Sequence, residues 1–378
     1  LKIVRLGDEF PKRLKSSILL RIPKPLEGAF LNELEVRGYK ENVFLASGKV
    51  AAKHHAWLEK AMDRADGLLF WFPENSNGTT TQMAADFAWQ AAVRRGDMVL
   101  GCAERSPNLN RLKELAKGLF LPIASRPSIA VEEACKMVGK GALRKGGECS
   151  VPLYLWKVPH FKQWLDAQQA TAVGNKLEHL EPRLTFRVGP RGGFLLFWGA
   201  RVEVYVREED RIKANEIVVG RPDIHNVVAF YRPKGTSLAD TEVVLVKEFR
   251  SPSTTEDGFN YGLPGGSSEK IQDTALTAME ELSEETQVSQ VNIDPKRFQL
   301  LPLRQVAGTA STMRAYAHVI ELRKKEIDRF RNLKPAGKEE ETERTYPGVY
   351  RVGDLLQSTK ADWSQLGMIL ATLVGDGA

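Results

Sequence analysis

Cysteine is scarce: Cys102, Cys135 and Cys149 are too few and too scattered for a disulfide framework or a zinc site. Long apolar runs are missing too. None approaches the roughly 20 residues that span a bilayer, and no stretch resembles a signal peptide. The net charge is +6, from 54 Lys and Arg against 48 Asp and Glu, yet no long basic run carries it. That argues against nucleic acid and membrane as partners and leans toward an anionic small molecule. The six histidines, His54, His55, His160, His179, His225 and His318, make no metal-ligand spacing. No Ser/His/Asp or Cys/His arrangement stands out either. What remains is the composition of an ordinary globular protein, 42% hydrophobic and 27% charged, in 378 residues, enough for two domains. The expectation is a cytoplasmic, reduced protein.

The first third alternates short apolar runs with helical patterns. The runs cover 17–22, 42–46, 67–72, 97–102 and 119–123, and helical periods cover 53–65, 80–94 and 111–118. Such alternation predicts an α/β domain with a parallel sheet covered by helices on both faces, over 1–140. Residues 139–150 are rich in Gly and Lys and read as a break, so 141–182 is expected to be a linker with a short helix near 160–170. From 183 to 378 strands follow one another: 184–188, 194–206, 217–219, 225–231, 243–249, 299–304, 312–322 and 346–352. Helices are expected over 273–287 and 362–373, giving a second domain of α+β type.

The most informative stretch is Gly262-Leu-Pro-Gly-Gly266 followed by an amphipathic helix. Ala275, Leu276, Met279 and Leu282 are read as its apolar stripe, and Glu281, Glu284 and Glu285 fall about one turn apart on one face. Like charges at that spacing destabilise a helix by a few tenths of a kcal/mol, and the nearby C-terminus of the dipole adds to the cost. A hard divalent cation, Mg²⁺ or Mn²⁺, relieves that repulsion.

These residues resemble the box of the Nudix hydrolase family. Gly266 takes the first glycine and Gln272 the first glutamate. Glu280 takes the arginine, Glu281-Leu282 the Glu-apolar pair, Glu284-Glu285 the paired acids, Gln287 the last glycine and Val288 the last apolar place. The resemblance implies that Glu281, Glu284 and Glu285, with Gly266, hold metal against a diphosphate that water attacks. It departs at Gln272, Glu280 and Gln287, so the acids around the metal survive while their support has changed. Lys247-Glu-Phe-Arg250 resembles an element of ADP-ribose pyrophosphatase-like members, which are homodimers. Arg250 is then a phosphate ligand, or else a surface arginine at a strand end. By the same resemblance the acidic run 338–343 offers Glu340 and Glu341 to orient the attacking water, or else is a flexible acidic loop; separately, the segment 308–314 is read as lining the pocket, with Arg314 near phosphate.

In the first domain, Ala65-Asp-Gly-Leu-Leu-Phe-Trp-Phe-Pro73 and Asn77-Gly-Thr-Thr-Thr-Gln82 resemble the nucleoside 2-deoxyribosyltransferase family. So do Ser17-Ile-Leu-Leu-Arg-Ile-Pro23 and the helix carrying Trp57. Asp66, Thr79 and Gln82 become candidate ligands for a nucleoside. The family's attacking carboxylate is replaced by Gln82, an amide and a poor nucleophile, with Asp86 the one acid near enough to rescue it. The whole chain is thus read as a Rossmann-like parallel-sheet domain followed by an α+β Nudix domain. The function expected is metal-dependent hydrolysis of a nucleoside diphosphate derivative, ADP-ribose-like, with a nucleoside or nucleotide bound by the first domain. A catalytically weakened nucleotide sensor, or an N-glycosidase in the first domain, are the alternatives.

Overall fold

The structure, a computed structural model, describes all residues except 75–77, 94–96, 190–192, 268–273, 287–292, 334–343 and 376–378, and the side chains at 78–79, 92–93 and 274–275. The chain divides into two compact units, Leu1–Arg221 and Pro222–Ala378. Among the described residues no helix is long and apolar enough to cross a membrane.

In the first unit, chain order runs β1 (Lys2–Arg5), β2 (Arg13–Leu14), β3 (Ser17–Ile22), α1 (Glu27–Val36), β4 (Asn42–Ser47), α2 (His55–Arg64) and β5 (Gly67–Trp71). It continues with α3 (Gly78–Val93), β6 (Met98–Gly101), α4 (Leu109–Leu119), β7 (Ile123–Ala124) and α5 (Pro127–Val138). Six strands form one parallel sheet in the order β1-β4-β3-β5-β6-β7. Apolar runs buried on both faces are what a parallel sheet demands. Alternate residues divide accordingly. Leu19, Phe44 and Phe70 pack with α2, α3 and α4 on one face, and Ile18, Leu20 and Leu69 with α1 and α5 on the other. The chain winds outward from β3 to β4 on one side and to β5, β6 and β7 on the other. The order therefore reverses beside β3, the place at which open α/β sheets in general present a crevice at the carboxyl ends of their strands. Of the expected run 119–123, Leu119 ends α4, residues 120–122 form the connection, and only Ile123 enters a strand.

Residues 139–182 are not a loose connection. Arg144 in β8 (Arg144–Lys145) is fully buried, and β8 pairs with β2. Helices α6 (Leu153–Trp156) and α7 (Pro159–Gln169) supply Leu155, Phe161 and Leu165 to a core completed by Leu180, Trp198 and Val202. The latter come from a three-stranded antiparallel sheet of β9 (Lys176–Val188), β10 (Phe194–Val206) and β11 (Arg211–Gly220), so these strands belong with the first unit, not with the second. Gly220 has a packing reason: a Cβ there falls 2.1 Å from the ring of buried Trp198.

The second unit is built on β12 (Ile224–Tyr231), β13 (Glu242–Phe249), β14 (Phe259–Gly262), β15 (Gly265–Ser267), α8 (Thr274–Thr286), β16 (Gln299–Leu300), β17 (Arg304–Gln305) and β18 (Arg314–Glu321). It ends with α9 (Lys324–Arg331), β19 (Thr345–Arg351), α10 (Val352–Leu356) and α11 (Trp363–Gly375). Its sheet runs β14-β13-β12-β18-β16, with β15 on β12, β17 on β18 and β19 on β13; β12 and β18 are parallel. Val227, Ala229 and Ile320 pack against α8 and α9, while Val228, Phe230 and Val319 pack against α10 and α11. The buried stripe of α8 differs from the expected one. Thr277, Ala278, Leu282 and Thr286 are buried, whereas Leu276 is 47% exposed. The helix is rotated so that Glu281 and Glu285 stand beside the buried residues at helical spacing.

Candidate functional site

In the second unit the site begins with two glycines. Leu263 donates its N–H to Gln365 Oε1, and Val227 donates to the Pro264 carbonyl, fixing the turn into β15. At Gly265 a Cβ falls 2.2 Å from the His225 carbonyl; at Gly266 it falls 2.5 Å from Glu281 Oε2. Only a residue without Cβ lets the strand backbone and the α8 carboxylate approach this closely. Gly265 N–H donates to Glu285 Oε2 at 2.9 Å.

These carboxyls are poorly compensated. Burial pushes Glu281 up, and Glu284 and Glu280 push it further. Burial likewise pushes Glu285 up to about 8, with Glu281 and Glu248 adding to the rise and the Gly265 N–H and Arg250 opposing it. Glu284, expected on the same face, is exposed and reaches the site only as a charge beside Glu281. Among the described residues no three His, Cys, Asp or Glu are already gathered around one point. Two half-buried carboxylates and the Cβ-free backbone at Gly266 are nonetheless a donor set that fits a hard cation.

Arg250 ends the neighbouring strand and donates to Glu248 Oε2 at 2.8 Å. Glu248, which sequence reasoning did not single out, thereby joins the acidic group around Glu285. Arg314 is tied to Asp223 by its backbone N–H (2.9 Å), Nε (3.1 Å) and Nη2 (2.8 Å), leaving Nη1 without a partner among the described residues. On the α8 face of the same sheet, His225 stacks on Tyr316 and lies 3.3 Å from His318 through ring nitrogens; burial holds His225 below its usual value. Glu340 and Glu341 lie outside the described residues, as do Gln272 and Gln287.

In the first unit Asp66 and Gln82 fall at opposite ends of the central strands. Asp66 precedes β5, away from the strands' carboxyl ends. Its carboxylate accepts from Ser17 N (2.8 Å), Ser17 Oγ (3.3 Å), Leu153 N (2.9 Å) and Arg144 Nη1 and Nη2 (2.7 and 2.6 Å). Both side chains of the Asp66–Arg144 pair are fully buried. With its lone pairs taken by the protein, Asp66 is a structural acid, and the expected ligand role has no open acceptor to serve it.

Gln82 sits near the carboxyl end of β3, where the strand order reverses. Its Oε1 accepts from Arg21 Nη2 (3.0 Å) and Val50 N (3.1 Å), and its Nε2 reaches the Val50 carbonyl (3.3 Å) and His55 Nε2 (2.9 Å). Arg21, fully buried near the end of β3, also donates to Asp86 Oδ2 (2.9 Å) and to the carbonyls of Ala46 and Gly48. Burial draws the Arg21 guanidinium below its usual range, against the pull of Asp86. An amide suits position 82 because it gives and accepts at once; a carboxylate there would face the Val50 carbonyl. Asp86, the acid nearest to rescuing the chemistry, is engaged with Arg21. The Thr79 side chain lies outside the described residues.

Neither a family model nor a curated protein matches the chain.

Proposed function

We propose that the protein is a divalent-metal-dependent, Nudix-type hydrolase of a nucleoside diphosphate derivative, ADP-ribose-like in chemistry, whose first unit holds a nucleoside or nucleotide. One observation carries the reading. Glu281 and Glu285 stand against the Gly265–Gly266 backbone with like charge and burial working against both, and Glu285 is pushed up to about 8. Stored repulsion between two oriented carboxylates is what binding of Mg²⁺ or Mn²⁺ relieves.

Glu281 and Glu285 would hold the metal, with Gly266 alongside and Glu284 contributing charge from the open flank. Bound there, the metal neutralises the diphosphate and lowers the pKa of water. Arg250, now paired with Glu248, would offer its guanidinium to a phosphate oxygen, a charge-assisted pairing of the same kind. Arg314, aimed by Asp223, offers Nη1 to the same anion. In the first unit exposed His55, held by Gln82 with Arg21 buried behind it, is the group free to meet a ribose or base edge. The engagement of Gln82 and Asp86 within the protein argues against glycosidic chemistry there.

The test is incubation of the full chain with Mg²⁺ or Mn²⁺ and a panel of ADP-ribose, NAD and nucleoside triphosphates, repeated with Glu284→Gln and Glu285→Gln. Products of phosphate-bond cleavage that vanish in Glu285→Gln support the hydrolase. Free base released equally by both variants moves the chemistry to the first unit. Tight nucleotide binding without any product leaves a nucleotide sensor.

A further inference from the structure

We infer that the cleft between α3 and α4 of the first unit binds a small amphipathic anion: an aromatic ring or short alkyl body carrying a carboxylate. This site is separate from the metal helix and from Gln82. Helix α3 divides its surface three ways. Gln82 and Asp86 engage Arg21, while Met83 and Phe87 enter the core. The third face, with Ala84 and Ala88, looks onto a cleft of about 620 Å³. That is within the roughly 300–1,000 Å³ typical of small-molecule sites.

The cleft is apolar by construction. Buried Phe72 and Phe87 line it, and Leu112 and Leu115 form the α4 side. Alanines at 84 and 88 end at Cβ and are themselves exposed, so α3 does not cover the opposing leucines; Leu115 remains 40% exposed. Leaving leucine surface in water is unfavourable by about 25 cal/mol per Å², which an apolar guest recovers.

Charge selects the guest further. Arg111, one turn before Leu115 on α4, is the sole charged side chain among the described residues lining the cleft, and no carboxylate lines it. A cation is repelled by that arrangement, and a neutral molecule leaves the guanidinium unused. An anion with an apolar body satisfies both features at once, its carboxylate meeting a guanidinium built for that geometry.

The test is calorimetric titration of the full chain with naphthoate and with its neutral analogue, naphthalenemethanol. The expected result is saturable one-to-one binding of naphthoate. Arg111→Gln should weaken naphthoate about fivefold to tenfold while leaving the alcohol unchanged. Ala88→Phe, at an exposed helical position, should fill the cleft and remove both without lowering the unfolding midpoint. Absence of saturable binding at millimolar naphthoate overturns the proposal, as does binding indifferent to Ala88→Phe. Should Ala88→Phe instead split a dimer seen by sedimentation, with naphthoate never bound, the cleft belongs to a second copy of the chain.

Discussion

Asp66 in the first unit, fully buried, and Glu285 in the second, half-buried, are both acids drawn from motif-like sequence, and they are opposites. Asp66 receives three hydrogen bonds besides the two from Arg144, and its charge is balanced inside the protein. Glu285 has one backbone N–H, the opposing charge of Arg250 and two carboxylate neighbours, and burial pushes it up to about 8. A buried carboxylate completed by its own chain is architecture. One left wanting a positive charge is where a ligand belongs, because the missing partner must come from outside.

Removing the charge at Asp66 should break this contrast most violently. Asp66→Asn leaves Arg144 buried without a counter-ion, and the expected loss is about 3–5 kcal/mol in urea unfolding. A loss below 1 kcal/mol would show that Asp66 is not the support described here.

The same substitution at the other acid should act in reverse. The folded carboxyl of Glu285 is raised from 4.5 to about 8, so its contribution is fully present below the unfolded value and is lost as pH rises toward 8. Metal-free Glu285→Gln is therefore expected to be more stable than the parent by about 1–3 kcal/mol at pH 8 and equal to it near pH 4. Millimolar Mg²⁺ should raise the midpoint of the parent and not that of the variant. Unfolding curves at the two pH values, with and without metal, decide it; a destabilised variant at pH 8 sinks the assignment.

Gln82→Glu sharpens the comparison by placing an acid beside a buried arginine that already has one. The carboxylate loses the donor that served the Val50 carbonyl, for an expected cost of about 1–2 kcal/mol. No base release from nucleosides should appear by chromatography; its appearance would return catalysis to the first unit. The smallest effect on stability is expected at Arg250→Ala, within about 0.5 kcal/mol because the pair with Glu248 is half exposed. Its mark should be a raised KM for a diphosphate substrate with kcat little changed.

Much of the architecture was legible because periodicity reports burial directly. The strands at 17–22, 42–46 and 67–72 and the helix of the glutamates are where the pattern puts them. Phase within a helix was harder: Leu276 looks apolar and is exposed, while Thr277 and Thr286 are buried, the Thr286 hydroxyl being satisfied by the Leu282 carbonyl. Long-range partners were not legible at all. Arg21 is a lone charge inside Ser-Ile-Leu-Leu-Arg-Ile, a signal that was there to be weighed, but its acceptors on 46, 48, 82 and 86 exist only once the sheet is formed. Glu248 is hidden similarly, as a strand residue whose importance comes from the helix beside it.

The Gly- and Lys-rich stretch that holds Arg144 sets a limit on how the protein can be dissected. A chain ended at residue 140 would contain the entire six-stranded sheet and still enclose the Asp66 carboxylate with no cation to meet it. A fragment of the first unit that keeps this acid paired therefore has to include Arg144 and Leu153.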